Sequence, residues 1–287
     1  MFSIPLRIHC WGGFGSQLFA LALALDIHSR NPNRKLCIVF HSAGVTRRNL
    51  ELRNVPNFLQ IKTVDDFRQT TKPPTTNRNS RSIFLRLVKQ FLKFIYFGLE
   101  LENNSQLNQI KPWTHSIRGH YSSRIISRYS VEKIMEIIFG TKVTGDLELP
   151  LRNTAGLHYR LGDLLELASK TYIAPNRVRD IVLKVQNVNN VQQLDIYSDS
   201  SDKALDFLAI LQNIVDLKVV ALEAAEVMWA LVHYQNFIGT NSKITIWVVL
   251  FRMNLKSEFM SFVPNELKTY LEINSANSKY KSHLVYY

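Results

Sequence analysis

Cysteine is scarce in this chain of 287 residues, which holds two, Cys10 and Cys37. Their number and spacing exclude a disulfide framework and a paired-cysteine zinc site, and they suit buried free thiols in a reducing compartment. Residues 1–10 lack a charged segment leading into an apolar one, so no secretory leader is expected. Nowhere does the sequence reach the roughly 18 uninterrupted apolar residues of a membrane span. Nucleic-acid-binding motifs are missing, and no nucleic acid is expected as a partner. Glycine is concentrated in Trp11 to Gln17, WGGFGSQ, without the GxGxxG spacing and the acidic residue about 20 positions on that a dinucleotide site uses. That disfavours a nicotinamide-dependent oxidoreductase.

Hydrophobic residues make up 46% and aromatics 11%. That much apolar surface has to be buried, and the length accommodates two domains of ordinary size. Carboxylates are few, 23 Asp and Glu against 35 Lys and Arg. The shortage is one-sided: residues 1–150 hold 21 Lys and Arg against 10 Asp and Glu, whereas residues 151–287 hold 14 against 13. A positive field over the first half points to an anionic partner such as a membrane surface or a phospholipid-linked substrate. Ile83 to Leu99 carries Arg86, Lys89 and Lys93 on one helical face among Phe, Leu and Ile. Such a helix fits a membrane interface, or equally a core with one solvated stripe.

Pattern predicts α/β structure on both sides of a division at residue 150. In the first half a strand at Ile4–Cys10 runs through the glycine-rich turn, with Ser16 as N-cap, into an apolar helical segment at Leu18–Ile27. Strands at Lys35–His41 and Leu59–Val64 follow, then a polar stretch at Thr70–Ser82 and a helix at Val131–Phe139. Gly140–Asn153 reads as the crossing between halves. The second half alternates more regularly, with strands near Gly156, at Leu194–Tyr197, Lys218–Ala221 and Asn236–Gly239. Helices are predicted at Pro175–Val188, Asp202–Ile214, Ala224–Tyr234, Ile244–Phe251 and Asn265–Ile273. Such alternation builds βαβ units and a parallel sheet. The tail from Pro264 is expected to pack back across the first domain.

A parallel sheet collects the loops that follow its strands along one edge, where open α/β folds bind ligands. In the second half those loops are Leu161-Gly162-Asp163, Ser198-Asp199-Ser200 and Thr240-Asn241-Ser242. The first follows GLHYRLGD, Gly156 to Asp163, in which His158 and Arg160 stand two apart on one face. Arg160 can offer a planar fork to a phosphate, or pair with Asp163 at the strand's end. Thr240 and Ser242 sit where hydroxyls and backbone N–H groups meet at a helix start. Asp199 can accept from a ribose hydroxyl or a base N–H. Each loop alone is more often a plain turn or cap, so the argument rests on their coincidence.

These elements resemble a known family. HYRLGD is similar to the HVRRGD-type element of α-1,2-fucosyltransferases and the wider fucosyltransferase superfamily. WGGFGSQLFALALAL, Trp11 to Leu25, resembles that family's GGLGNQLFQYAAAL element, IYSDS its FSDD element, and FIGTNSKITIWVVLF, Phe237 to Phe251, its ISNSTFSWWAAWL element. The resemblance implies a GT-B-like α/β fold, two Rossmann-like domains facing across a cleft, the acceptor on residues 1–150 and the donor on 151–287. It implies that Arg160 contacts the donor's diphosphate and that His158 orients that region, with Asp163 beside them. Ser198 and Asp199 would meet the nucleoside, and Thr240, Asn241 and Ser242 the phosphates. Gly13, Phe14, Gly15, Ser16 and Gln17 would line the cleft. With no DxD-type motif, no metal and no cofactor are expected beyond the activated sugar. The general base is open among His158, Asp163, His9 and Asp26.

Three departures qualify the match: Leu161 stands where the family has a second Arg, Ser16 where it has Asn, and Ser242 to Val248 reads SKITIWV. Lys243 can supply the lost charge. The expected protein is an inverting glycosyltransferase, cytoplasmic and peripheral at the inner face of the plasma membrane. Its donor would be a nucleotide-sugar or phosphosugar, and its acceptor a glycan or lipid-linked glycan of a bacterial surface polysaccharide, O-antigen or capsule. A furanosyl or phosphoribosyl donor, and a noncatalytic subunit of a polysaccharide assembly complex, are the alternatives.

Overall fold

A computed structural model describes residues 5–44, 46–67, 98–101, 104–140, 153–165, 171–275 and 278–287. The stretch Thr70–Ser82, the basic helix predicted at Ile83–Leu99 and the crossing at Gly140–Asn153 lie outside the described residues except for their end positions. The chain divides into two compact units, Met1–Ser130 and Val131–Tyr287.

The first unit is a parallel sheet of β1 (Leu6–Trp11), β2 (Leu36–His41), β3 (Leu59–Val64), β4 (Leu99–Glu100) and β5 (Ser116–Arg118) in the order β3-β2-β1-β5-β4. β2 is buried at all of its positions, as its unbroken apolar pattern predicts. Helix α1 (Phe14–Arg30) is built from Leu and Ala, which lose little freedom on coiling, and buries nearly its whole circumference. It starts earlier than expected, with Gly13 rather than Ser16 as N-cap. Gly12, at φ 96°, turns the chain so tightly that the Gly13 carbonyl already accepts from the Ser16 and Gln17 amides.

One charge anchors α1. Asp26 is buried, and its carboxylate accepts from Ser127 and Ser130 hydroxyls at 2.6 Å each and from Arg124 at 3.0 Å. A carboxylate so occupied is a structural tie rather than a general base. Asp26→Ala strands a buried guanidinium, and urea denaturation is expected to show a loss of about 3–5 kcal/mol; a loss below 1 kcal/mol would remove the pair from the first unit's core.

Helix α2 (Arg128–Phe139) leads into the second unit. There, strands β6 (Thr154–His158), β7 (Gln193–Tyr197), β8 (Asp216–Val219), β9 (Asn236–Gly239), β10 (Met260–Val263) and β11 (Leu284–Tyr286) form one parallel sheet. Its order is β11-β10-β9-β6-β7-β8. The helices are α3 (Pro175–Asn189), α4 (Ser201–Leu208), α5 (Ala224–His233), α6 (Lys243–Asn254) and α7 (Lys268–Ser275). Leu157, Val178, Ile181, Ile196, Leu208 and Phe262 share the core.

Two expectations are corrected here. β8 begins two residues before the predicted Lys218, because pairing of Leu217 with Leu194 and Val219 with Ile196 fixes its register on β7. The tail from Pro264, expected at the first domain, adds β11 to the second unit's own sheet, where Leu284 pairs with Ser261. No described helix is long and apolar enough to cross a membrane.

Candidate functional site

Numbered from its own first strand, the second sheet runs 3-2-1-4-5-6, the doubly wound dinucleotide-fold order, whose ligands bind outside the strands' carboxyl ends where the order reverses. That point falls between β6 and β9, which pair from Ala155 with Asn236 to His158 with Gly239. The loops that leave β6 and β9 are those carrying Arg160 and Thr240-Asn241-Ser242.

A single hydroxyl joins them. Thr240 Oγ1 donates to the His158 carbonyl at 2.8 Å and accepts from the Arg160 amide at 2.9 Å. Beyond it, Ser242 Oγ accepts from the Ile244 amide at 3.1 Å and caps α6, with Lys243 as that helix's first residue. The helix needs its cap and its burial: Ile244, Thr245, Ile246, Val248 and Val249 are β-branched, and a run of that kind coils poorly in isolation. Asn241 is turned to the Thr171 carbonyl, 3.1 Å away.

Arg160 is held between two carboxylates. Its Nη2 donates to Asp163 at 2.5 Å, and its Nε lies 3.4 Å from Asp199 Oδ2, an ion pair outside hydrogen-bond geometry. Nε is buried without a hydrogen-bond acceptor. The Arg160 side chain is 24% exposed, Asp163 14% and Asp199 36%. Asp199 also receives the Leu161 amide at 3.0 Å, so the loop after β7 clamps the loop after β6. Gly162, at φ 20°, makes the clamp feasible, since a Cβ there would lie 2.2 Å from Asp199 Oδ2. Ser198 accepts the Ser200 amide and shapes the turn.

His158 is buried under this cluster, 3.3 Å from the Thr245 hydroxyl. Burial, with Arg160 nearby, pushes its titration down to about 3, so the imidazole is neutral near pH 7 and acts as packing and hydrogen-bonding group.

In the first unit, Gly13 faces open space, with nothing within 4 Å of where a Cβ would sit. Phe14 and Gly15 are buried, and Ser16 lies in the first turn of α1. Gln17 is fully engaged: its amide donates to the Asn49 carbonyl at 2.9 Å and its oxygen accepts from the Glu51 and Leu52 amides, so it clasps residues 49–52 onto the helix. Sequence reasoning missed a buried polar chain beside them. His41 Nδ1 bonds Asp66 at 2.7 Å, His41 Nε2 bonds His9 Nδ1 at 2.8 Å, and His9 Nε2 bonds Ser116 Oγ at 2.8 Å. Trp11 stacks on His41 at 4.5 Å. The available signal was a histidine in each of two successive predicted strands. Both His9 nitrogens lie in this chain, which leaves it a poor free base.

The unfolded His158 imidazole takes up a proton near pH 6.5, where the folded one stays neutral. Stability is therefore complete above pH 6.5 and declines as pH falls toward 3. Between pH 7 and pH 5 the wild type is expected to lose about 2 kcal/mol more than His158→Gln by urea denaturation; equal losses would show that the imidazole accepts a proton in place.

No family model matches the chain, and no curated protein matches it in sequence. Among solved structures it is similar to Escherichia coli heptosyltransferase WaaC with ADP, at 8% identity and TM-score 0.43, covering 98% of this chain and 92% of that one. It is similar to a glycosyl transferase family 9 protein from Veillonella parvula DSM 2008, at 8% identity and TM-score 0.43, over 100% of this chain and 87% of that one. POFUT1 in complex with GDP-fucose is similar at 11% identity and TM-score 0.40, over 92% and 98% of the two chains. Likeness of this degree assigns no residue its role.

Proposed function

We propose that the chain is a glycosyltransferase that moves a sugar from a nucleotide-linked donor to a glycan acceptor. The observation that carries this reading is Arg160 at the reversal point of the second sheet, with a buried Nε that lacks a hydrogen-bond acceptor, beside the capped mouth of α6. The four sequence elements that resemble those of fucosyltransferases fall on the β1–α1 turn, the loops after β6 and β7, and the β9–α6 turn. In the proposed reaction an acceptor hydroxyl attacks the anomeric carbon from the face opposite the nucleotide. The bond to the diphosphate breaks with its electron pair on the leaving phosphate, and the hydroxyl proton passes to a base. Arg160, Lys243 and the N-terminal dipole of α6 offset the charge that gathers on the phosphate, so this reading calls for no metal. Asp199, just past the second strand of the fold, stands where such folds place the carboxylate that takes ribose hydroxyls. The finer proposal is a fucosyltransferase-like, inverting enzyme of bacterial surface polysaccharide assembly, working at the inner face of the plasma membrane on a lipid-linked acceptor.

A second reading has its own observation. Arg160 is already paired with two carboxylates, which suits a noncatalytic subunit that retains the fold. Thermal shift against ADP, GDP, UDP and their sugar conjugates separates the two. A donor at about 100 times its dissociation constant is expected to stabilise the protein by about 2.7 kcal/mol. Arg160→Ala is expected to abolish that shift and to lower turnover about 10²–10³-fold. Silence toward the whole panel would favour the noncatalytic subunit, and unchanged turnover in Arg160→Ala would remove Arg160 from the chemistry.

A further inference from the structure

The carboxyl edge of each sheet carries the loops described above; the amino edge of the first sheet carries a surface with different chemistry. Trp113 is 79% exposed, the most solvent-accessible of the described large hydrophobic side chains. It lies in the loop before β5, between Lys111-Pro112 and Thr114-His115, of which Lys111, Pro112 and His115 are exposed. The loop before β2, Asn31 to Lys35, runs beside it: Leu6 bonds the Lys35 carbonyl and Arg7 the His115 carbonyl as the strands begin. Arg34 ties the two loops together by donating to the Thr114 carbonyl at 2.6 Å. Arg30, Pro32 and Lys35 are exposed on the same turn. The surface is therefore an indole and two prolines ringed by Arg30, Arg34, Lys35 and Lys111.

The sequence around that ring is poor in carboxylates, with no Asp or Glu from Ile27 to Leu50 or from Asn103 to Val131. An exposed indole has an apolar body and one N–H donor, which places it well at the level of lipid headgroups, and cations around it meet anionic headgroups. A neutral glycan would use the indole and leave the cations without purpose. We infer that the amino edge of the first sheet, centred on Trp113 with Arg30, Arg34, Lys35 and Lys111, is a docking surface for an anionic lipid bilayer. It includes no donor-site residue, and it stands whether or not the protein transfers sugar.

Flotation of the full chain with vesicles of phosphatidylglycerol and phosphatidylcholine, beside vesicles of phosphatidylcholine alone, tests this at low salt, where attraction is least screened. Wild type is expected to float with the anionic vesicles and not with the neutral ones. Each basic residue contributes about fivefold, so Lys35→Ala/Lys111→Ala is expected to weaken partitioning about 25-fold. Trp113→Ala is expected to weaken it about tenfold. All three positions are solvent-exposed, and circular dichroism is expected to match the wild type. The emission lost in Trp113→Phe should shift to the blue on adding anionic vesicles. Failure of the wild type to float, or equal flotation of both variants, would overturn the assignment. Quenching of that emission by soluble neutral glycans with no response to vesicles would overturn it in favour of a sugar subsite.

Discussion

Everything proposed for the second unit depends on one hydroxyl. Where the strand order of a parallel sheet reverses, the loops from the two central strands diverge to opposite faces and a crevice opens between them. Thr240 bonds across that divergence, donating to the His158 carbonyl and accepting from the Arg160 amide. It is wholly buried, so neither bond competes with water. The backbone of the charged loop is thereby set at a fixed height above the sheet, and the N-cap of α6, Ser242, lies two residues further on in the same turn. A guanidinium and a helix mouth thus share one rigid corner, the arrangement electrostatic preorganisation requires.

Charge in that corner is balanced against itself. Asp163 and Asp199 hold Arg160 in place, and Arg160 in turn helps keep His158 neutral. A cation near a buried imidazole opposes its protonation, and burial acts in the same direction. The interior beneath the site is therefore uncharged while its rim is ionic. Asp199 spans both roles: one oxygen is committed to the Leu161 amide, and the other stands near a guanidinium nitrogen without bonding it. That contact is the loosest in the cluster and the one an incoming oxygen could most readily replace.

The sequence made the rhythm of the second unit legible because each strand and helix there is locally consistent. β9 was read to the residue, and the loop residues 160, 199 and 240–242 do gather along one sheet edge. What escaped was whatever a distant segment decides. The start of α1 depended on Gly12 turning early enough for Gly13 to cap. β8 slid by two residues to meet β7. The final strand, Leu-Val-Tyr, has too short a pattern to be read alone, and it exists because β10 offers an edge and Tyr287 reaches the Gly239 carbonyl at 2.8 Å. The Asp66–His41–His9–Ser116 chain combines residues from three strands and a loop, and beyond the two strand histidines the sequence does not announce it. α6 was placed correctly despite a β-branched composition that favours a strand, because the serine cap and its flanking turn outweighed propensity.

Three guanidiniums show what distinguishes a ligand-facing arginine from a structural one in this chain. Arg124 is buried against Asp26, and its loss of hydration is compensated by a matching charge. Arg252 is buried with no carboxylate beside it among the described residues; it donates to the carbonyls of Leu231, Val232, Tyr234 and Met260 and to the Ser261 hydroxyl. Carbonyls at the end of α5 carry partial negative charge, yet burial still lowers its titration to about 9. Both are locked, since removing either from its partners would strand a charge without water. Arg160 differs in having a quarter of its side chain in solvent, where the Arg124 side chain has none. Water at its rim makes exchange of one oxygen acceptor for another inexpensive, since the guanidinium need not pass through an unsolvated state. Replacing the Asp199 contact with a phosphate oxygen keeps the number of anionic neighbours constant and gives the idle Nε an acceptor, an exchange that the geometry of Arg124 and Arg252 does not permit.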